Sequence, residues 1–171
     1  MNLESFKNTI TDVPDFPKPG ILFKDLTTSF SNPKAFQFLM DQLCAETPSE
    51  ATHIVGIESR GFILSSAMAL KLNLPLVLIR KPGKLPRPIY SHKYDLEYGQ
   101  DELQIHKDDL SKDSKAIIVD DVLATGGTAQ AAEALCQQTG AQVLKHFFVI
   151  EVEFLKGISR LKAPAFSLVK S

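Results

Sequence analysis

One segment constrains this chain more than any other: Ala116 to Thr128, AIIVDDVLATGGT. An apolar, β-branched run ends in two adjacent carboxylates, Asp120 and Asp121, and a short Thr/Gly loop then opens an Ala-rich stretch of helical length. Strand, loop and helix in that order predict an α/β unit, where ligands bind beyond the carboxyl ends of the strands. The amides of Thr125, Gly126, Gly127 and Thr128 would converge at the helix start, where unpaired N–H groups and the helix dipole favour an anion. Glycine lets the backbone come close to that anion, and the threonine hydroxyls add donors. No lysine follows the glycines as in the nucleotide-hydrolase loop, and their spacing is not GxGxxG. Carboxylates repel phosphate, so the acids need another partner on the same ligand. Ribose hydroxyls, which donate hydrogen bonds, fit Asp120 and Asp121. A divalent ion carried by the ligand could share the site.

The rest of the chain repeats the alternation. Ser31-Asn32-Pro33 opens a helix that runs to about Ala45, with Phe36, Leu39, Met40 and Leu43 at helical spacing. Strands are predicted at Thr52–Ile57, Leu74–Ile79, Tyr90–Tyr94, Glu102–Ile105, Lys115–Val119 and Gln142–Val152, with a last one in the tail Phe166–Lys170. Further helices are predicted from Arg60 to Leu72 and from Gly127 to Thr139, the latter closed by Gly140. Three prolines and a glycine make Lys81–Pro88 a long exposed loop. The expected fold is α/β, a largely parallel sheet flanked by helices. At 171 residues it is expected to be a single domain.

Charge narrows the partners. With 19 Lys/Arg against 20 Asp/Glu the formal net charge is −1, so no generic nucleic-acid binder is expected. No stretch reaches the roughly 18 apolar residues of a membrane span. Glu4 and Lys7 stand where a signal peptide would need an apolar block, so a soluble intracellular chain without membrane partners is expected. Cys44 and Cys136 lie far apart and read as reduced thiols. His53, His92, His106 and His146 lack metal-ligand spacing, and no protein-bound zinc is expected. The neutral sum hides an order. Arg80, Lys81, Lys84, Arg87 and Lys93 fall in a segment without a single acid, a pattern equally typical of a solvated face. Asp95, Glu97 and Asp101 follow, and spacing does not choose among them.

Five segments, in order, carry a resemblance: VPDFPKPGILFKDLT (Val13–Thr27), GIESRGFIL (Gly56–Leu64), IRKPGKLPRP (Ile79–Pro88), YDLEYG (Tyr94–Gly99) and the DD-ATGGT segment. Together they resemble the type I phosphoribosyltransferases, in particular those acting on adenine. The resemblance implies the type I fold with a small hood and a flexible loop, residues of about 1–32 forming the N-terminal, base-selecting hood. It implies Mg2+-dependent transfer of 5-phosphoribose from 5-phosphoribosyl 1-pyrophosphate to adenine, giving AMP and pyrophosphate. The setting implied is a cytoplasmic homodimer in purine salvage.

The resemblance also implies a role for each matching position. Asp120 and Asp121 take ribose hydroxyls, and Ala124, Thr125, Gly126, Gly127 and Thr128 wrap the 5′-phosphate. Mg2+ is expected to be held mainly through substrate, near Asp120 and Asp121. Arg60 binds pyrophosphate, its planar guanidinium suiting several oxygens at once. Lys81 and Lys84, on the mobile loop, are pyrophosphate ligands as well, Lys81 with a catalytic part, and Glu58 is assigned only support. Glu97 matches the family's general acid/base at purine N7, and Tyr98 positions the loop or ribose. The backbone of Leu22 and Lys24 reads adenine, and Phe23 and Ile57 sandwich the ring. Two rival readings keep the fold: a transferase for hypoxanthine/guanine or xanthine, and a ligand-sensing regulator. The presence of Arg60, Lys81, Lys84 and Glu97 favours catalysis over the regulator.

Overall fold

A computed structural model describes residues 1–95 and 99–171. They form two compact units, Met1–Ala45 and Glu46–Ser171. In the first, α1 (Leu3–Lys7) starts where the Asn2 side chain accepts the Ser5 N–H at 2.9 Å. Strands β1 (Thr11–Pro14) and β2 (Leu22–Asp25) pair antiparallel, Asp12 opposite Lys24 and Pro14 opposite Leu22. Between them Asp15 takes a left-handed φ of 57°, and its Oδ1 accepts the Gly20 N–H at 2.7 Å. A short α2 (Thr27–Phe30) precedes α3 (Pro33–Ala45). Asn32 Oδ1 caps α3 by accepting the Lys34 and Ala35 N–H groups at 3.1 and 3.2 Å, at the helix start that the sequence predicts. Phe6, Leu26, Ala35, Leu39 and Leu43 are buried in this unit.

The second unit is the α/β layer. In chain order it contains β3 (His53–Ile57), α4 (Gly61–Leu72), β4 (Leu76–Ile79), β5 (Ile89–Asp95), β6 (Gln100–His106), β7 (Lys115–Val119), β8 (Val122–Leu123), α5 (Gly127–Gln138), β9 (Gln142–Glu151) and β10 (Ala165–Lys170). Two 3-10 turns, Glu153–Leu155 and Gly157–Arg160, lie between the last two strands. The main sheet is parallel, in the order β10-β9-β7-β3-β4, with β8 alongside β9. Chain order reverses between β3 and β7: from β3 the chain crosses through α4 to β4 on one side, and from β7 through α5 to β9 on the other. That reversal opens a crevice at the carboxyl ends of β3 and β7. Ile54, Val55, Ile117, Ile118 and Val119 are fully buried, as strands covered on both faces require. β5 and β6 form a separate antiparallel hairpin, tied to the end of β4 by reciprocal Arg80–Gln104 backbone hydrogen bonds of 2.9 and 2.8 Å.

Candidate active site

The switch-point crevice receives the acids at the end of β7 and Arg60 from just beyond β3. Asp120 Oδ1 accepts the Asp121 N–H at 2.9 Å, and the Asp120 N–H donates to Phe147 O at 3.0 Å. Asp121 is buried; its Oδ2 lies 2.7 Å from Arg60 Nε as an ion-pair contact and accepts no directed hydrogen bond. Burial raises the pKa of both carboxyls, and the charge of Asp121 pushes Asp120 further, well above an ordinary aspartate. The Arg60 guanidinium pulls both back down. Arg60 stands at the N-cap of α4, where the helix dipole disfavours a cation, and Asp121 offsets that repulsion.

Next comes the anion loop. Gly126 is the N-cap of α5 with φ 82°, in the left-handed region, and its carbonyl accepts the Gln130 N–H at 2.9 Å. Behind it sits Gly157, which the sequence reading missed. A Cβ on Gly157 would lie 2.2 Å from Ala124 O, and one on Gly126 would lie 2.4 Å from Gly157 O. The only sequence signal was a lone glycine after Lys156, which marks a turn but not its neighbour. Glu133, buried on α5, accepts the Lys162 and Ala163 N–H groups at 3.1 and 3.0 Å and lies 3.3 Å from His146 Nε2. Burial opposes the Glu133 charge, but His146 and the two amides outweigh it and hold the pKa low. The helix that presents the loop thus also pins the segment that backs it.

The cations assigned to pyrophosphate, Arg60, Lys81 and Lys84, are all in ion pairs. Lys81 Nζ pairs with Asp101 and Lys84 Nζ with Glu58. Glu58 Oε2 also accepts the Lys81 N–H at 2.9 Å and lies 3.3 Å from Arg80 Nε. Burial works against the Glu58 charge, but Lys84, the Lys81 amide and Arg80 keep its carboxyl below the usual range. The Glu58–Ser59 peptide bond is cis. Tyr94 OH donates to Asp101 Oδ2 at 3.2 Å and receives the Thr128 hydroxyl at 3.3 Å, linking the anion loop to the Lys81 pair. Glu58 was expected only in support, Tyr94 only as the start of YDLEYG and Asp101 only as one of three nearby acids; their pairings carried no sequence signal, because the partners are remote in the chain.

The remaining predicted residues fall elsewhere. Leu22, Phe23 and Lys24 lie on β2 in the first unit, Leu22 exposed, Phe23 edge-on to Phe16 at 5.1 Å and Lys24 Nζ 2.7 Å from Asp12. Ile57 ends β3 with its side chain buried beside Val55, Val77 and Ile79. Glu97 and Tyr98 lie outside the described residues. A cavity of about 340 Å³ beside β4, lined by His53, Leu76, Arg87, His106 and Asp109 among others, includes none of the predicted residues. Cys44 and Cys136 are not joined in a disulfide, and burial pushes the Cys136 thiol up to about 12, which leaves no thiolate nucleophile there. Among the described residues no three His, Cys, Asp or Glu side chains are placed to hold a metal ion. The adjacent Asp120 and Asp121 carboxylates are hard oxygen donors of the kind that suits a divalent ion brought in on ligand oxygens. No helix among the described residues is long and apolar enough to cross a membrane.

This arrangement has known counterparts. Residues 30–162 match the phosphoribosyl transferase domain family. An adenine phosphoribosyltransferase of a Picosynechococcus species is 46% identical over 168 residues, 96% of this chain and 98% of that protein. The chain belongs to the adenine phosphoribosyltransferase family. Among solved members of that family, the Thermoanaerobacter pseudethanolicus protein superposes with a TM-score of 0.96 at 40% identity, covering 99% of this chain and 100% of the other. The Saccharomyces cerevisiae protein, complexed with an imino-altritol bisphosphate and adenine, gives 0.91 at 42% identity over 97% of each chain. In this member of the adenine phosphoribosyltransferase family the second unit carries the Asp120–Asp121 pair with Arg60, the Gly126 loop, and the ion-paired Lys81 and Lys84.

Proposed function

We propose that this chain transfers 5-phosphoribose from 5-phosphoribosyl 1-pyrophosphate to adenine, giving AMP and pyrophosphate in purine salvage. The observation that carries the proposal is the pairing, beyond β7, of the Asp120–Asp121 carboxylates with the left-handed Gly126 loop at the start of α5. The amides of Ala124 to Thr128 take the 5′-phosphate, and the two aspartates accept from the ribose hydroxyls. Arg60, Lys81 and Lys84 take the pyrophosphate. The backbone of Leu22 and Lys24 meets the base edge, a carbonyl accepting from the 6-amino group and an amide donating to N1. Among the described residues β2 pairs with β1 alone in its sheet. Phe23 is assigned to one face of the ring.

The bond to pyrophosphate breaks ahead of attack by purine N9, so positive charge grows on the ribose and negative charge on the leaving group. The three cations stabilise the latter. Glu97 carries a proton at N7, relieving the charge that N9 attack puts on the ring, and Tyr98 positions the ribose. The Lys81–Pro88 loop, closing over the ligand, excludes water that would otherwise intercept the ribose centre. Mg2+ arriving on the pyrophosphate supplies further charge neutralisation, with Asp120 and Asp121 as its protein neighbours. The working form is a cytoplasmic homodimer, each chain acting as one catalytic domain. Incubation of the purified protein with adenine, 5-phosphoribosyl 1-pyrophosphate and Mg2+ is expected to yield AMP and pyrophosphate in equal amounts. Ribose 5-phosphate without AMP would contradict the proposal.

A further inference from the structure

The loop cations are already matched by carboxylates. Lys81 Nζ is paired with Asp101, and Lys84 Nζ and Arg80 Nε with the two oxygens of Glu58. Neither acid is a freely rotating surface group. Asp101 Oδ1 accepts the Glu102 N–H at 2.8 Å and its Oδ2 receives Tyr94 OH. Glu58, with 9% of its side chain exposed, is fixed by the Lys81 N–H. The acids are therefore fixed receptors for the cations.

A lysine ammonium cannot keep a close carboxylate partner and also turn fully onto a new polyanion. We propose that Asp101 and Glu58 stand in for pyrophosphate: they hold Lys81 and Lys84 while the site is empty, and pyrophosphate must displace them to bind. These two acids thereby set how tightly pyrophosphate binds and how fast it leaves, acting through the lysines and not on the reacting atoms. The proposal rests on the reading of Lys81 and Lys84 as pyrophosphate ligands. It also gives a physical purpose to the acids outside the ribose site. Without them three like charges, Arg80, Lys81 and Lys84, would repel one another in the empty loop, and the product would face no competitor on leaving.

The sign of the effect separates this role from a structural one. Damage to a site weakens binding, whereas removal of a competing anion strengthens it. The experiment is calorimetric titration of inorganic pyrophosphate, with Mg2+ present, into wild type, Asp101→Asn, Lys81→Ala and the double variant. Asp101→Asn should bind about two- to fivefold tighter, the range expected from releasing one partly exposed ion pair. Lys81→Ala should bind more weakly, and Asp101→Asn should add nothing in that background. If Lys81→Ala binds as wild type does, Lys81 is not a pyrophosphate ligand, and the functional reading of the loop falls together with the proposal. If Lys81→Ala is weaker but Asp101→Asn is unchanged or weaker, the stand-in proposal alone is overturned. Glu58→Gln against Lys84→Ala repeats the cycle at the other acid. The Asp101 side chain is 26% exposed against 9% for Glu58, so the Asp101 cycle decides.

Discussion

Two aspartates whose pKa values rise together give the site a pH dependence of definite sign. In the proposed role Asp120 and Asp121 act ionised, each accepting from a ribose hydroxyl. As the pH falls through their raised pKa values they take up protons and lose that capacity. The acid limb of kcat/KM for 5-phosphoribosyl 1-pyrophosphate is therefore expected above the range of an ordinary aspartate, and Asp120→Asn should flatten it as well as weaken binding. Stability runs the other way. A carboxyl whose pKa is raised by folding favours the folded state most below its unfolded value, and that contribution is lost as the pH climbs through the folded value. The pair thus lowers stability at the pH where it works. Glu97→Gln, if Glu97 is the proton carrier at N7, should lower kcat by about 100-fold or more while leaving the KM for 5-phosphoribosyl 1-pyrophosphate nearly unchanged. A near-normal turnover number would remove Glu97 from that role. The aspartate pair was legible because adjacent acids before a Thr/Gly loop have few other uses. Asp101 and Glu58 were not, since they meet Lys81 and Lys84 across 20 and 26 positions of sequence, where no local pattern points to the pairing.

Elements, not single side chains, hold the anion loop in shape. Gly157 leaves room for the Ala124 carbonyl, and a methyl group there would overlap it at 2.2 Å. Gly157→Ala should raise the KM for 5-phosphoribosyl 1-pyrophosphate about tenfold, equivalent to ~1.4 kcal/mol of overpacking at the loop. An unchanged KM would show that Gly157 does not shape the loop. Glu133 is the acceptor that joins α5 to residues 162–163 and His146. Glu133→Ala strands three donors and should cost about 3 kcal/mol, read as a lower urea midpoint, with Glu133→Gln losing less. Because the Glu133 pKa is held low, its stabilisation is present above the unfolded value and is lost as the pH falls through the folded one. The long elements were readable from period and caps: α3, α4 and α5 lie within a residue or two of the predicted bounds. Short ones were not. β8 has two residues and α2 four, too few for any periodicity, and both are held by neighbours far off in sequence.

At the scale of the molecule, the near-zero net charge is the sum of two opposed arrangements. A cationic segment from Arg80 to Lys93 is followed, from Asp95 to Asp121, by nine acids against three lysines. In the structure Asp120 and Asp121 stand together beyond β7, where Asp121 pairs with Arg60, and Asp101 holds a loop cation. The parallel sheet was readable from the alternation of strands and helices, but the strand order was not, because sequence alone does not say on which side of β3 the chain returns. That order puts Arg60 and the aspartates at one crevice. Base choice is the central functional claim. Adenine offers a 6-amino donor and an N1 acceptor, whereas hypoxanthine and guanine reverse both, at about 1–3 kcal/mol for each group left unpaired. The direct measurement is kcat/KM for adenine, hypoxanthine and guanine with saturating 5-phosphoribosyl 1-pyrophosphate and Mg2+. Adenine should exceed each of the others by at least about tenfold. A rate on hypoxanthine or guanine that equals or surpasses the rate on adenine would contradict the account.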